Sequence, residues 1–104
     1  MASAGVNSVA WFQRDVRDGP PPGIPAGPGM VVTNPPYGAR LDARDAAVAT
    51  RALVDVMEAA LPSWGLCIIA PPALVKRMDV RWDGQLSTRN GGLPVVLAWV
   101  MPEP

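Results

Sequence analysis

The chain has 104 residues, nine basic and nine acidic side chains, 49% apolar residues and 17% charged residues. That suffices for one modest core and is too apolar for a disordered tail. Zero net charge argues against a dedicated nucleic-acid-binding module, though not against an enzyme domain that borrows substrate affinity from a neighbour.

The absence of histidine excludes His acid–base catalysis and His metal sites, so no metal is expected. The single cysteine, Cys67, sits in an apolar run and reads as a small buried hydrophobe. One cysteine allows no internal disulfide, which fits a reducing cytoplasm. No run approaches the ~20 apolar residues of a membrane span. The first residues lack the pattern of a signal peptide.

In chain order, residues 1–7 read as a frayed start. Ser8 to Phe12 is a short strand candidate, and a polar stretch, Gln13 to Asp18, follows. Gly19 to Gly29 is a proline- and glycine-rich loop that can be neither helix nor central strand. Met30 to Thr33 reads as a buried strand. It stops at Asn34-Pro35-Pro36-Tyr37, because proline cannot donate to a sheet ladder.

That tetrapeptide carries the chemistry. The Asn34 carboxamide offers one acceptor and two donors, suited to a planar group with an exocyclic amine. Two successive prolines stiffen the loop and hold Asn34 extended. Tyr37 adds a face on which a base can stack, and Gly38 permits a tight turn. In open α/β sheets ligands bind at the C-terminal ends of strands, where this loop is delivered. The plainer reading is a proline-bounded turn after a core strand.

Asp42 is a reasonable N-cap for a helix from about Ala43 to Leu61. Ala47, Thr50, Val54, Met57 and Leu61 recur at helical spacing, with Leu53 broadening the stripe, and Arg51 and Asp55 form an i,i+4 pair. Leu66 to Ala70 is an all-apolar strand bounded by Gly65 and Pro71. Pro71-Pro72 opens a short helix, about Ala73 to Met78. Lys76, Arg77 and Arg81 make a small basic cluster that reads as a solvated helix end or a phosphate contact. Gln85 to Ser87 and Leu93 to Met101 flank Thr88-Arg89-Asn90-Gly91-Gly92, a hairpin signal.

The stretch Thr33-Asn34-Pro35-Pro36-Tyr37-Gly38-Ala39-Arg40-Leu41 resembles motif IV of the class I S-adenosylmethionine-dependent amino-methyltransferases. It is most similar to the THUMP-associated rRNA guanine-N2 methyltransferases, with Ala39 where they usually carry Glu. Asn90-Gly91-Gly92-Leu93 resembles their terminal hairpin, so the likeness spans about Val9 to Met101. It implies that Asn34 and the Pro35 carbonyl bind the target amine, within a catalytic Asn34-Pro35-Pro36-Tyr37 clamp whose Tyr37 stacks on an unpaired base. It implies that Asp15 and Val16 contact the cofactor adenine, in place of an ordinary polar loop.

The implied fold is α/β: a partial Rossmann-like methyltransferase sheet, the C-terminal half, ending in an antiparallel hairpin, with residues 1–104 forming one partial domain. A glycine-rich cofactor loop and the acidic residue after the second strand are not found in the sequence. The S-adenosylmethionine site is therefore expected to be incomplete and the chain inactive alone. Partners expected from the likeness are RNA or DNA as substrate, and a second copy or the missing N-terminal half to complete the sheet. The alternatives left open are a non-catalytic module for subunit assembly, or a fragment of a DNA adenine-N6 or protein-amide methyltransferase.

Overall fold

A computed structural model of the protein describes residues 9–25, 27–35 and 43–103, and for 43–45 the backbone alone. The elements are β1 (Met30–Thr33), α1 (Ala43–Ala60), β2 (Gly65–Ala70), α2 (Pro72–Arg77), β3 (Gly84–Asn90) and β4 (Leu93–Val100), preceded by a 3-10 turn at Val16–Asp18. They form a mixed α/β unit around a four-stranded sheet of order β1-β2-β4-β3. β1 pairs in parallel with β2, with Val31 opposite Leu66 and Thr33 opposite Ile68. β4 runs antiparallel to both β2 and β3.

The parallel pair requires a crossover, and α1 supplies it. Its buried stripe is Ala46, Thr50, Val54 and Met57, with Leu61 just beyond the helix end. Ala47 and Leu53 pack partly against the same cluster. Arg51 and Asp55 pair at 2.9 Å on the exposed side, as the spacing predicts. Thr50 is 3% exposed, and its hydroxyl is satisfied by the Ala46 and Ala47 carbonyls at 2.9 and 3.1 Å.

α2 starts on Pro72, whose missing N–H costs nothing in a first turn. It buries Leu74 and Val75 against the same side of the sheet. The main core lies on one side: Leu66, Ile68, Ala70, Val96 and Ala98 on one sheet face meet both helices. Alternation along the strands puts Val32, Cys67, Ile69, Leu97, Leu86 and Leu93 on the opposite face. There Val32, Leu86 and Leu93 are exposed and Cys67 is half-buried rather than buried, but Val95, on the same face, is only 1% exposed.

The β3–β4 turn uses Gly91 and Gly92, with φ of 58° and 86°. Both central residues of such a two-residue turn need positive φ, so glycine belongs there. The hairpin is longer than the sequence suggests. Thr88, Arg89 and Asn90 belong to β3, because a loop of two glycines lets the ladder run to Asn90 opposite Leu93.

The strand expected at Ser8 to Phe12 does not form. Val9 to Asp15 has no regular structure, and Val9, Trp11 and Phe12 are exposed, so no burial favours a pleated conformation there. Ser8 lies outside the described residues. The proline-rich loop contains neither helix nor strand among its described residues. It is pinned by Trp64, whose ring lies against Gly29 so closely that a Cβ would stand 2.7 Å from three of its carbons.

Candidate functional site

β1 is an edge strand, and its C-terminal end delivers Asn34 and Pro35. Asn34 is exposed and its carboxamide makes no hydrogen bond within the described structure, whereas Pro35 is buried. A rigid, buried ring therefore anchors a free polar group at the rim of the sheet. Pro36 and Tyr37 lie outside the described residues, as do Gly38, Ala39, Arg40, Leu41 and Asp42.

On the α1 side of this rim stands the 3-10 turn. Asp15, extended at φ −73° and ψ 134°, caps it. Asp15 Oδ1 accepts from the Arg17 backbone N–H at 2.8 Å and from Arg17 Nε at 3.0 Å. Asp15 Oδ2 accepts from Arg17 Nη2 at 2.6 Å. The Arg17 side-chain hydrogen bonds, then the backbone one, hold the Asp15 carboxyl at a pKa of about 2, below the ordinary 3.8. Arg14 locks the far side of the turn by donating to the Asp18 and Gly19 carbonyls, both at 2.9 Å.

Two contiguous clefts join these parts. One, of about 270 Å³, is lined by Val16, Val31, Val32, Thr33, Pro35, Ala49, Thr50 and Leu53. The other, of about 260 Å³, is lined by Asp15, Val16, Arg17, Val48 and Ala49. Val16 and Ala49 line both, so the cleft that holds Asp15 and the cleft that holds Pro35 adjoin along α1 and form one crevice at that contact. A larger apolar cavity of about 360 Å³, bounded by residues including Phe12, Asp15, Val16, Leu53 and Trp64, opens on the other side of the turn.

The structure thus brings Asp15, Val16 and Pro35 onto one crevice, with Asn34 beside it. The expected strand before Asp15 is absent, and a capped 3-10 turn positions the carboxylate instead. The sequence reading missed Arg17 as the residue that fixes Asp15, though the Asp15-x-Arg17 spacing is that of an Asx turn. It also missed Thr33 and Ala49 as crevice walls. Ala49 faces the crevice only because the α1 stripe is wider than the core it covers. Among the described residues no cluster of potential ligands could hold a metal ion. No helix among them is long and apolar enough to cross a membrane.

No family model matches the sequence. Among solved structures the chain is similar to SMU.472, a protein classed as a methyltransferase and crystallised in complex with SAH. The TM-score is 0.67 at 23% identity, over 85% of this chain and 23% of that one. The fold is mixed α/β, Rossmann-like and partly parallel, and matches part of that structure. The chain spans less than a quarter of the structure it matches.

Proposed function

We propose that the chain is part of a S-adenosylmethionine-dependent methyltransferase acting on the exocyclic amine of a nucleobase, guanine in rRNA being the reading that its motif favours. One observation carries this: a free Asn34 carboxamide on a buried Pro35 at the C-terminal end of an edge strand, beside a crevice that Asp15 also lines. The THUMP-type likeness of the motif supports rRNA as the polymer.

The residues present fit the adenine end of that cofactor. A carboxylate offers about four lone-pair positions, and Arg17 uses three of them, which leaves room for one amine hydrogen. Val16 and Leu53 give the crevice apolar walls. When bound, S-adenosylmethionine supplies an electrophilic methyl carbon on a sulfonium sulfur. Asn34 Oδ1 and the Pro35 carbonyl would accept the two hydrogens of the target amine, leaving its lone pair free to attack. Tyr37 would stack on the base. With the cofactor bound, the clamp would hold the amine nitrogen for displacement at the sulfonium methyl, the sulfur leaving and the amine proton going to solvent. No general base is needed. The clamp acts by orientation, which can replace several kcal/mol of barrier.

The test is methyl transfer from radiolabelled S-adenosylmethionine to rRNA fragments, DNA and glutamine-containing peptides. RNA labelling that Asn34→Ala lowers by roughly 5- to 150-fold supports the reading; labelling left unchanged by it overturns the role of Asn34. A second reading, a non-catalytic assembly module, is favoured by the open edge of β1, where Val32 is 69% exposed. There a second copy or a cofactor-binding half-domain would complete the sheet.

A further inference from the structure

The chain is neutral overall, but its charge is not evenly placed. Residues 71–101 carry four cations (Lys76, Arg77, Arg81, Arg89) and two anions (Asp79, Asp83). The Asp83 carboxylate is spent on the Met101 amide at 2.7 Å.

The described cations also differ in partners. Arg14 bonds two carbonyls, Arg17 pairs with Asp15, and Arg51 pairs with Asp55. Among the described residues, Lys76, Arg77 and Arg81 are exposed and have neither an ion pair nor a hydrogen bond. All three lie on α2 or just after it. Arg89 is exposed too, and its guanidinium donates to the Gly92 carbonyl at 3.0 Å, which holds it over the hairpin turn.

The sheet register places these groups relative to Asn34. Arg89 stands opposite Pro94, on the side of the sheet occupied by Val96 and Ala98, against which α2 packs. Arg89 and α2 therefore share one side of the sheet. β2 ends at Ala70 opposite Val96, while β4 begins at Leu93. The hairpin tip thus overhangs β2's C-terminal end by three residues, roughly 10 Å at about 3.4 Å each. This is the same end of the sheet from which Asn34 emerges.

We infer that the flank formed by α2 and the overhanging β3–β4 hairpin is the path of the RNA strand leading away from the target base, with Lys76, Arg77 and Arg89 contacting its phosphates. This rests on the nucleobase reading above. A polyanion is the partner that these unpaired cations would attract, since Asp79, exposed beside Arg77 and Arg81, offsets only one of them and the hairpin tip with Arg89 carries no acid. Such contacts position a strand without reading its sequence, which leaves base choice to the Asn34 site.

The experiment is fluorescence anisotropy of a short labelled single-stranded RNA of mixed sequence against the full chain, at several salt concentrations. The variant Lys76→Ala/Arg77→Ala/Arg89→Ala should bind at least about tenfold more weakly, and its salt slope should fall by about 2, the loss of three single-strand phosphate contacts. Arg77→Lys/Arg89→Lys should retain the wild-type slope. Ala59→Glu, a charge change on the exposed side of α1, should alter affinity less than twofold. An unchanged slope in the triple variant, an equal loss in Ala59→Glu, no RNA binding by the wild type, or tighter binding of the matching DNA would each overturn the inference. Methyl transfer that depends on Asn34 yet ignores the triple variant would sink this path while leaving the proposed function standing.

Discussion

Ile68→Ala and Val32→Ala together test whether the helix-bearing face of the sheet carries stability that the opposite face at β1 does not. Ile68 is fully buried between β4 and the helices, while Val32, on the neighbouring strand but the opposite face, is 69% exposed. Ile→Ala removes three carbon groups, worth about 2.4 kcal/mol at about 0.8 kcal/mol each. The cavity left behind brings the expected cost toward the upper part of the usual 2–5 kcal/mol range. Against a total of about 5–15 kcal/mol for a chain of this size, that is a large fraction. Val32→Ala removes mostly hydrated surface and should cost less than about 0.5 kcal/mol. Urea unfolding followed by circular dichroism reads both as shifts of the midpoint. If Val32→Ala costs as much as Ile68→Ala, the opposite face is packed at β1 as well and placing the main core on the helix side is wrong.

Other consequences follow from single contacts. Asn34→Ala should leave stability within about 0.5 kcal/mol of wild type, because the side chain is exposed and bonds nothing internally; a lower urea midpoint would show that Asn34 is a structural residue. Its effect on methyl transfer should be roughly 5- to 150-fold in kcat/KM, the equivalent of about 1–3 kcal/mol for an unsatisfied amine hydrogen. Asp15 has a pKa lowered to about 2 by Arg17, so its capping contribution is complete above its ordinary value of 3.8 and is lost as pH falls through about 2; the Arg17 amide resonance should shift over that window and not between pH 5 and 8. Gly29→Ala should destabilise the chain and shift Trp64 fluorescence, because the new methyl meets the indole ring; a silent variant would mean that Trp64 does not pin the loop.

Much of this architecture is legible in the sequence where one periodicity dominates. The α1 stripe, the all-apolar β2 run and the hairpin at the Asn90-Gly91-Gly92 signal each come from a local rule and form, although the turn itself is Gly91-Gly92 and Asn90 closes β3. The stretch around Asp15 is misread because Val9 to Phe12 has the composition of a strand but pairs with none of the described strands, and its large side chains stay exposed. The only cover for Trp11 would be another chain or segment, and it is 90% exposed. Arg89 is likewise invisible in a motif scan. Its position over the rim follows from the strand register, which a sequence without its pairing partners does not specify. The crevice at Asp15 and Pro35 is legible only through the family likeness, since 20 positions separate the two residues and α1 alone brings them together.

The most direct test of the central claim is a nitrogen-15 NMR titration with S-adenosylhomocysteine, which detects weak binding and reports where it occurs. The crevice between Asp15 and Pro35 should respond: shifts should concentrate at the amides of Val16, Arg17, Thr33 and Ala49, and Asp15→Ala should reduce them. No shifts at millimolar ligand, or shifts that cluster elsewhere, would contradict a methyl-donor site on this chain.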